Sequence, residues 1–205
     1  MIKWKPKLNE ESEDKPSIIT FSTEGLLNNS APVGNKIYLY DDISRSSILN
    51  TSKQIDDVTR QLKLLQLVYG MIEPPPIELH ISSDGGELSP ALSLVDKIKS
   101  NPIPINTYVE GFCASAATLI SVVGKKRYMS PNSNILVHQL RGGCAGKFEE
   151  IQDEKDNLDL FMDVLKKVYI QHTKLKLKQL TELLKHDLCL TAEKALEYGV
   201  IDYIV

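Results

Sequence analysis

The spacing of apolar residues changes several times along this chain, and each change marks an element. From Lys36, KIYLYDDI reads as a strand rich in β-favouring side chains. Ile48, Leu49, Ile55, Val58, Leu62, Leu65 and Val68 then recur near helical spacing and predict a helix from about Ser47 to Tyr69. Glu73-Pro74-Pro75-Pro76 breaks it, because proline cannot donate to the helical ladder. Three further strand-to-helix units follow. IELHIS (Ile77 to Ser82) runs through Asp84-Gly85-Gly86 into a helical segment from Leu88 to Lys99, and INTYVEG (Ile105 to Gly111) runs into a helix that opens near Ser115. After KKRYMS and NILVHQL comes Arg141-Gly142-Gly143-Cys144-Ala145-Gly146, and then a long helix from Glu149 to about Lys174. Its apolar positions Ile151, Leu158, Phe161, Met162, Leu165, Val168 and Tyr169 form a stripe suited to packing along one face. A shorter helix from Lys178 to Lys185 follows, and in LTAEKALEYG Thr191 has the character of an N-cap and Gly199 that of a C-terminal stop. Alternating strands and helices predict an α/β fold with largely parallel pairing.

Composition narrows the class. The 205 residues suffice for one sizeable core, and 42% hydrophobic with 25% charged residues is the balance of a packed globular domain. Residues 1–35 differ: they are polar and carry Pro6, Pro16 and Pro32, so an N-terminal arm, flexible or lining a pore, is expected ahead of a domain at 36–205. The net charge of −3 comes without a dense basic block, so nucleic acid is not an expected partner. No run reaches the about 18 uncharged apolar residues of a membrane span, and the start lacks the apolar core of a secretory signal. Cys113, Cys144 and Cys189 form no CxxC pair, suggest neither a disulfide framework nor a metal site, and are expected to be small buried residues. A cytoplasmic location is expected.

The chemistry concentrates at the strand-to-helix junctions. In GFCASAA, Ser115 sits where backbone N–H groups at a helix start have no intrahelical partner, and the small Ala114, Ala116 and Ala117 would admit a substrate backbone. The Gly85-Gly86 turn, lacking Cβ atoms, can turn a peptide N–H toward a ligand. Of the four histidines, His80 lies within a strand, His172 late in a helix, and His138 ends the apolar run NILVH, where a strand delivers its imidazole to an edge. Triad carboxylates are assembled by the fold, so spacing leaves Asp84, Asp96, Asp187 and Asp202 all open.

Four segments, ELHISSDGGELSPALSLVDKI, GFCASAATLISVVG, KKRYMSPNSNILVHQLRGGCAGKFEEI and HDLCLTAEKALEYGVIDYIV, resemble in order and spacing the proteolytic subunit of the Clp protease, ClpP. The resemblance spans about Lys36 to Val205, with a two-residue shortening near Gly124 and Lys125. It implies the ClpP/crotonase-type fold of repeated β-β-α units with a long protruding handle helix. It also implies a serine endopeptidase with Ser115 as nucleophile, His138 as base and Asp187 as third member. The backbone N–H groups of Gly86 and Ala116 would form the oxyanion hole, and Leu140, Arg141, Gly142, Gly143 and Cys144 the strand that pairs with substrate. Heptameric rings stacked as a tetradecamer, polypeptide substrates and a partner AAA+ unfoldase that uses ATP are further implications; the peptidase itself would need no cofactor.

The chain departs from that pattern at several points. Asp84 stands where the family has proline, and Lys185-His186 where it has an acidic-arginine pair that links rings. Glu78, His80 and Ser100 replace aromatic residues of the unfoldase-docking pocket. These changes imply altered inter-ring contacts and an altered docking surface. They also keep open a catalytically weak subunit of a mixed ring, while fold kinship alone keeps open a crotonase-like acyl-CoA enzyme.

Overall fold

The computed structural model of the chain describes residues 34–205. The expected N-terminal arm lies outside the described residues but for its last two positions. Five strands run parallel in the order β1 (Lys36–Leu39), β2 (Ile77–Ser83), β3 (Ile105–Ala114), β4 (Arg127–Met129) and β7 (Tyr203–Ile204). A short β5 (Asn134–Leu136) pairs parallel with the end of β3, and β6 (Cys189–Leu190) closes antiparallel on β5. The predicted α/β class and parallel pairing are what the structure has.

One sheet face holds the core. Ile37 and Leu39 of β1, Ile77, Leu79 and Ile81 of β2, and Ile105 and Val109 of β3 are buried on it. Against them pack Ile55 and Val58 of α1 (Arg45–Tyr69), Leu94 and Ile98 of α2 (Leu88–Ser100), and Leu119 of α3 (Ala116–Ser121). Leu79 is fully enclosed, so Leu79→Ala would cost about 2–5 kcal/mol of stability. Capping chemistry sets the ends of α1: the Ser44 hydroxyl accepts from the Ser47 N–H, and Gly70, at φ 64°, closes the helix in the left-handed region. Thr191 likewise caps α6 (Ala192–Glu197) by accepting from the Lys194 N–H.

The opposite face carries a ladder that the alternation did not single out. Tyr38, His80, Tyr108, Tyr128 and Tyr203 stack ring on ring across the five parallel strands, with neighbouring centroids 4.5 to 5.1 Å apart. In-register parallel pairing produces it, since each ring sits opposite the next.

The long helix α4 (Phe148–His172) buries Leu165 and Tyr169 and leaves Phe148, Ile151, Leu160 and Phe161 exposed, so it is anchored near its C-terminal end. The short α5 (Leu177–Leu183) is anchored by Leu180.

One expectation needs correction. Cys113 is buried as read, but Cys144 and Cys189 are exposed. Cys144 lies in a loop and Cys189 faces outward from β6 while Leu190 faces in, so neither meets the core. Leu140 to Cys144 lie in no strand of the chain itself; β5 stops at Leu136, and in the segment that follows the Gln139 N–H donates to the Leu184 carbonyl and the Leu140 N–H to Met162 Sδ.

Candidate active site

The local fold around Ser115 begins with an irregularity between β2 and β3. Ile81 lies opposite Val109, yet Ser83 lies opposite Cys113, so β3 holds two extra residues; Gly111, at φ 67°, is within that interval. Past the bulge β3 leaves β4 and joins β5, and the Ser115 N–H donates to the Leu136 carbonyl at 2.9 Å.

Ser115 itself has φ 54° and ψ −126° and is the sole non-glycine residue at positive φ among the described residues. A side chain held in such a region costs about 1–3 kcal/mol and persists only when its surroundings over-determine it. The surroundings do so here. The Ser115 carbonyl accepts from the Thr118 N–H at 3.0 Å and from the Thr118 hydroxyl at 2.5 Å. The turn presents a partly exposed serine between a strand and a helix.

The double glycine lies directly against this turn. A Cβ at Gly85 would stand 2.6 Å from the Ser115 Cβ and 2.7 Å from the Ala114 carbonyl oxygen, so no side chain fits. At Gly86 it would stand 2.2 Å from the Ile43 carbonyl oxygen. Ile43 bonds around Gly86, donating to the Gly85 carbonyl and accepting from the Glu87 N–H, each at 2.7 Å. That bridge leaves the N–H of Gly86 on the other side of its strand-like turn. Neither the Gly86 nor the Ala116 N–H has a hydrogen-bond partner outside helices and strands among the described residues. Asp84, beside them, is exposed.

His138 follows β5 by two residues and therefore lies on the edge to which the Ser115 backbone is bonded. Its Nδ1 stands 3.9 Å from Asp187 Oδ1, too long for a hydrogen bond. The other carboxylate oxygen of Asp187 accepts from Arg141 Nη2 at 2.8 Å. No hydrogen bond joins His138 to Ser115 among the described residues. The structure thus brings His138 next to Asp187 and Ser115 next to Gly85, without linking the two pairs by a direct bond.

Most of the alternatives left open by spacing are held elsewhere. His80 is enclosed between Tyr38 and Tyr108, with Nδ1 2.8 Å from Glu110. His172 is held below its ordinary value by burial and by Lys99 and Arg127. His186 shares Glu182 with Lys185 on the surface. Asp202 is committed to Arg127, which lowers its pKa through direct hydrogen bonds, and Asp96 sits on α2.

A cleft of about 280 Å³ opens beside the site, lined by Leu88 and Pro90 at the start of α2, Leu140 and Arg141 of the segment after β5, and Leu158 and Phe161 of α4. Residue spacing did not reveal this cleft, nor the pairing of Thr118 with Tyr169 beneath Ser115. Each depends on side chains from elements far apart in sequence.

The family model for Clp protease matches residues 33–205. The chain belongs to the Clp protease family. Three relatives from strains of Dehalococcoides mccartyi, each described as the ATP-dependent Clp protease proteolytic subunit, are 30% identical over 171 residues, covering 82% of this chain and 86% of theirs. Membership makes the chain a Clp protease-type subunit. The strained Ser115 turn, the double glycine and the His138–Asp187 pair are therefore features of a protease-family chain. No helix among the described residues is long and apolar enough to cross a membrane.

Proposed function

We propose that this Clp protease-family chain is a serine endopeptidase subunit that cleaves unfolded polypeptides through an acyl-enzyme. The observation that carries the reading is the conformation of Ser115, the one non-glycine residue at positive φ among those described, with Gly85 packed against its Cβ. Family membership supports the same reading.

In the mechanism, Ser115 Oγ attacks the scissile carbonyl and its proton passes to His138 Nε2. Asp187 orients the imidazole and stabilises the imidazolium. Charge on the carbonyl oxygen falls to the N–H groups of Gly86 and Ala116, a kind of donor whose loss costs about 10²–10³ in kcat. His138 then protonates the leaving amine, and water, deprotonated by His138, attacks the acyl-Ser115 ester to release the acid. Residues 140–144 lie in no strand of the chain, and apart from the Leu140 N–H, which donates to Met162 Sδ, they supply backbone groups for an extended substrate. The cleft between Leu88, Leu140 and Phe161 takes an apolar substrate side chain. None of these steps calls on a cofactor.

The same reading extends to assembly. Exposed Phe148, Ile151, Leu160 and Phe161 on α4 suit helix contacts between subunits of stacked heptameric rings. Lys185 and His186 are both paired with Glu182, so ring contacts at this point differ from an acidic-arginine pair. A partner AAA+ unfoldase would supply ATP hydrolysis. It would meet a docking surface in which His80 is stacked between tyrosines beside Glu78 and Glu110.

Labelling by a fluorophosphonate tests the core of this reading. Stoichiometric modification of Ser115, lost in Ser115→Ala together with hydrolysis of fluorescein-labelled casein, is the expected result. A protein that hydrolyses casein but labels elsewhere overturns it. One observation favours a second reading, a catalytically weak subunit of a mixed ring: Asp187 is bonded to Arg141 and not to His138. Under that reading labelling stays slow in the purified chain and rises only on mixing with a second ring subunit.

A further inference from the structure

The turn at Ser115 rests on a buried polar pair that no motif in the chain announces. Thr118, one helical turn into α3, and Tyr169, the deepest residue of α4, are 0% and 1% exposed and hydrogen-bond each other. The Thr118 hydroxyl also donates to the Ser115 carbonyl at 2.5 Å. A threonine hydroxyl carries a single proton, and here it is spent on Ser115, so Thr118 Oγ1 accepts from the Tyr169 hydroxyl. The order is therefore Tyr169 O–H to Thr118 Oγ1–H to Ser115 C=O.

That order bears on the chemistry through the geometry of one peptide. The Ser115 carbonyl and the Ala116 N–H belong to the same planar trans unit and point in opposite directions. Whatever anchors the carbonyl aims the N–H. Ser115 is in a strained region, and a flip of the 115–116 peptide would relieve it by turning the Ala116 N–H away from the substrate side. The Thr118 N–H also bonds the carbonyl, at 3.0 Å, but of these two bonds only the hydroxyl's leads on to another element, α4. Burial raises the Tyr169 phenol well above its usual range, so it remains a neutral donor across working pH.

We infer that Thr118 and Tyr169 are positioning residues that hold the Ala116 N–H in place as oxyanion donor, with the pair anchored in the base of α4. The inference rests on the reading of Ser115 as nucleophile and Ala116 as donor. It also makes α4 a mechanical partner of the site. Leu165 and Tyr169 are the buried residues of that helix, with Met162 and Val168 packed beside them, so a contact that shifts the rest of α4 acts on the 115–116 peptide through the Thr118–Tyr169 pair.

The test uses the full chain with Thr118→Val, which keeps the shape and removes the hydroxyl, Thr118→Ser, which keeps the hydroxyl, and Tyr169→Phe. Expected are a fall in kcat of about ten-fold or more in Thr118→Val with KM within two-fold, a smaller fall in Tyr169→Phe, and recovery in Thr118→Ser. The double variant Thr118→Val/Tyr169→Phe should be no worse than Thr118→Val alone. Thermal midpoints are measured alongside, since a purely structural role lowers them without separating kcat from KM. The Ala116 amide resonance in a 1H–15N spectrum gives a readout apart from activity: it should move in Thr118→Val and return in Thr118→Ser. Loss of Ser115 labelling in the unaltered chain would overturn the peptidase reading. An Ala116 resonance that stays in place in Thr118→Val overturns the positioning role, whatever the labelling shows; so does a kcat that Thr118→Val leaves intact.

Discussion

Asp187 lies between Arg141 and His138 and is bonded to only one of them: Arg141 Nη2 donates to its Oδ2 at 2.8 Å, while His138 Nδ1 stands 3.9 Å from its Oδ1. Arg141 and Asp187 are both well exposed, so the pair contributes at most about 1 kcal/mol. A competition of that size is easily shifted. Arg141→Leu, by freeing Asp187 to orient His138, is expected to raise kcat for peptide hydrolysis by about two- to five-fold. A lower kcat in this variant, at unchanged KM, would count against competition and show that Arg141 helps to place the carboxylate.

Gly85 offers a harsher substitution. Its Cβ would fall 2.6 Å from that of Ser115, and its φ of 99° disfavours any side chain. Gly85→Ala should therefore displace the Ser115 turn, reducing fluorophosphonate labelling of Ser115 by about a hundred-fold. The core strands do not depend on this turn, so far-UV circular dichroism should change little. Labelling at the native rate would mean that the turn relaxes without moving Ser115.

The pH dependence of stability should carry a signature of Asp202. Hydrogen bonds from Arg127 hold this carboxyl below its ordinary value of 3.8. Because the folded-state pKa is depressed, the stabilisation is present above that ordinary value and disappears as pH falls through the lower folded one. Arg127 also donates to the His172 and Gly199 carbonyls, so the pair ties β4 and β7 to the end of α4. After discounting for partial exposure, Asp202→Asn should cost about 1–2 kcal/mol in urea unfolding at neutral pH. The gap to the unaltered chain should close as the solution is acidified through pH 3.8 and below; a constant gap would assign the cost to packing.

Thiol chemistry separates the three cysteines. Burial pushes the Cys113 thiol up to about 12, so it stays protonated and shielded, while Cys144 and Cys189 are exposed. Iodoacetamide should modify the latter two in the native chain and reach Cys113 only after unfolding. Cys113→Ala should retain most peptidase activity, and a loss as deep as that of Ser115→Ala would make the sulfur the nucleophile.

Much of the architecture was written in local pattern. The apolar stripe of α1, its Ser44 cap and its Gly70 stop are chemistry within one turn of each helix end. The read strand at Ile105 to Gly111 was cut short, because glycine signals a stop locally, whereas here Gly111 sits inside a bulge and β3 continues to Ala114. The two-residue β6 carries no local signal, because it is defined by pairing with β5, more than fifty residues away. The cysteines show the same limit: average burial favours the core, but Cys144 and Cys189 follow the loop and edge that carry them.

For the site, sequence alone determined which residue types were present and that Ser115, Gly85 and Gly86 fall at strand-to-helix turns, because turns and periodicity are short-range properties of the chain. It left four carboxylates open. The tertiary structure decided that Asp187 lies near His138 while Asp202 is held by Arg127, that Ser115 is strained against Gly85, and that Tyr169 reaches Thr118 from fifty-one residues away. Distances of this kind follow from how the parallel sheet and its helices pack, and packing is a property of the whole chain that no local run of residues encodes.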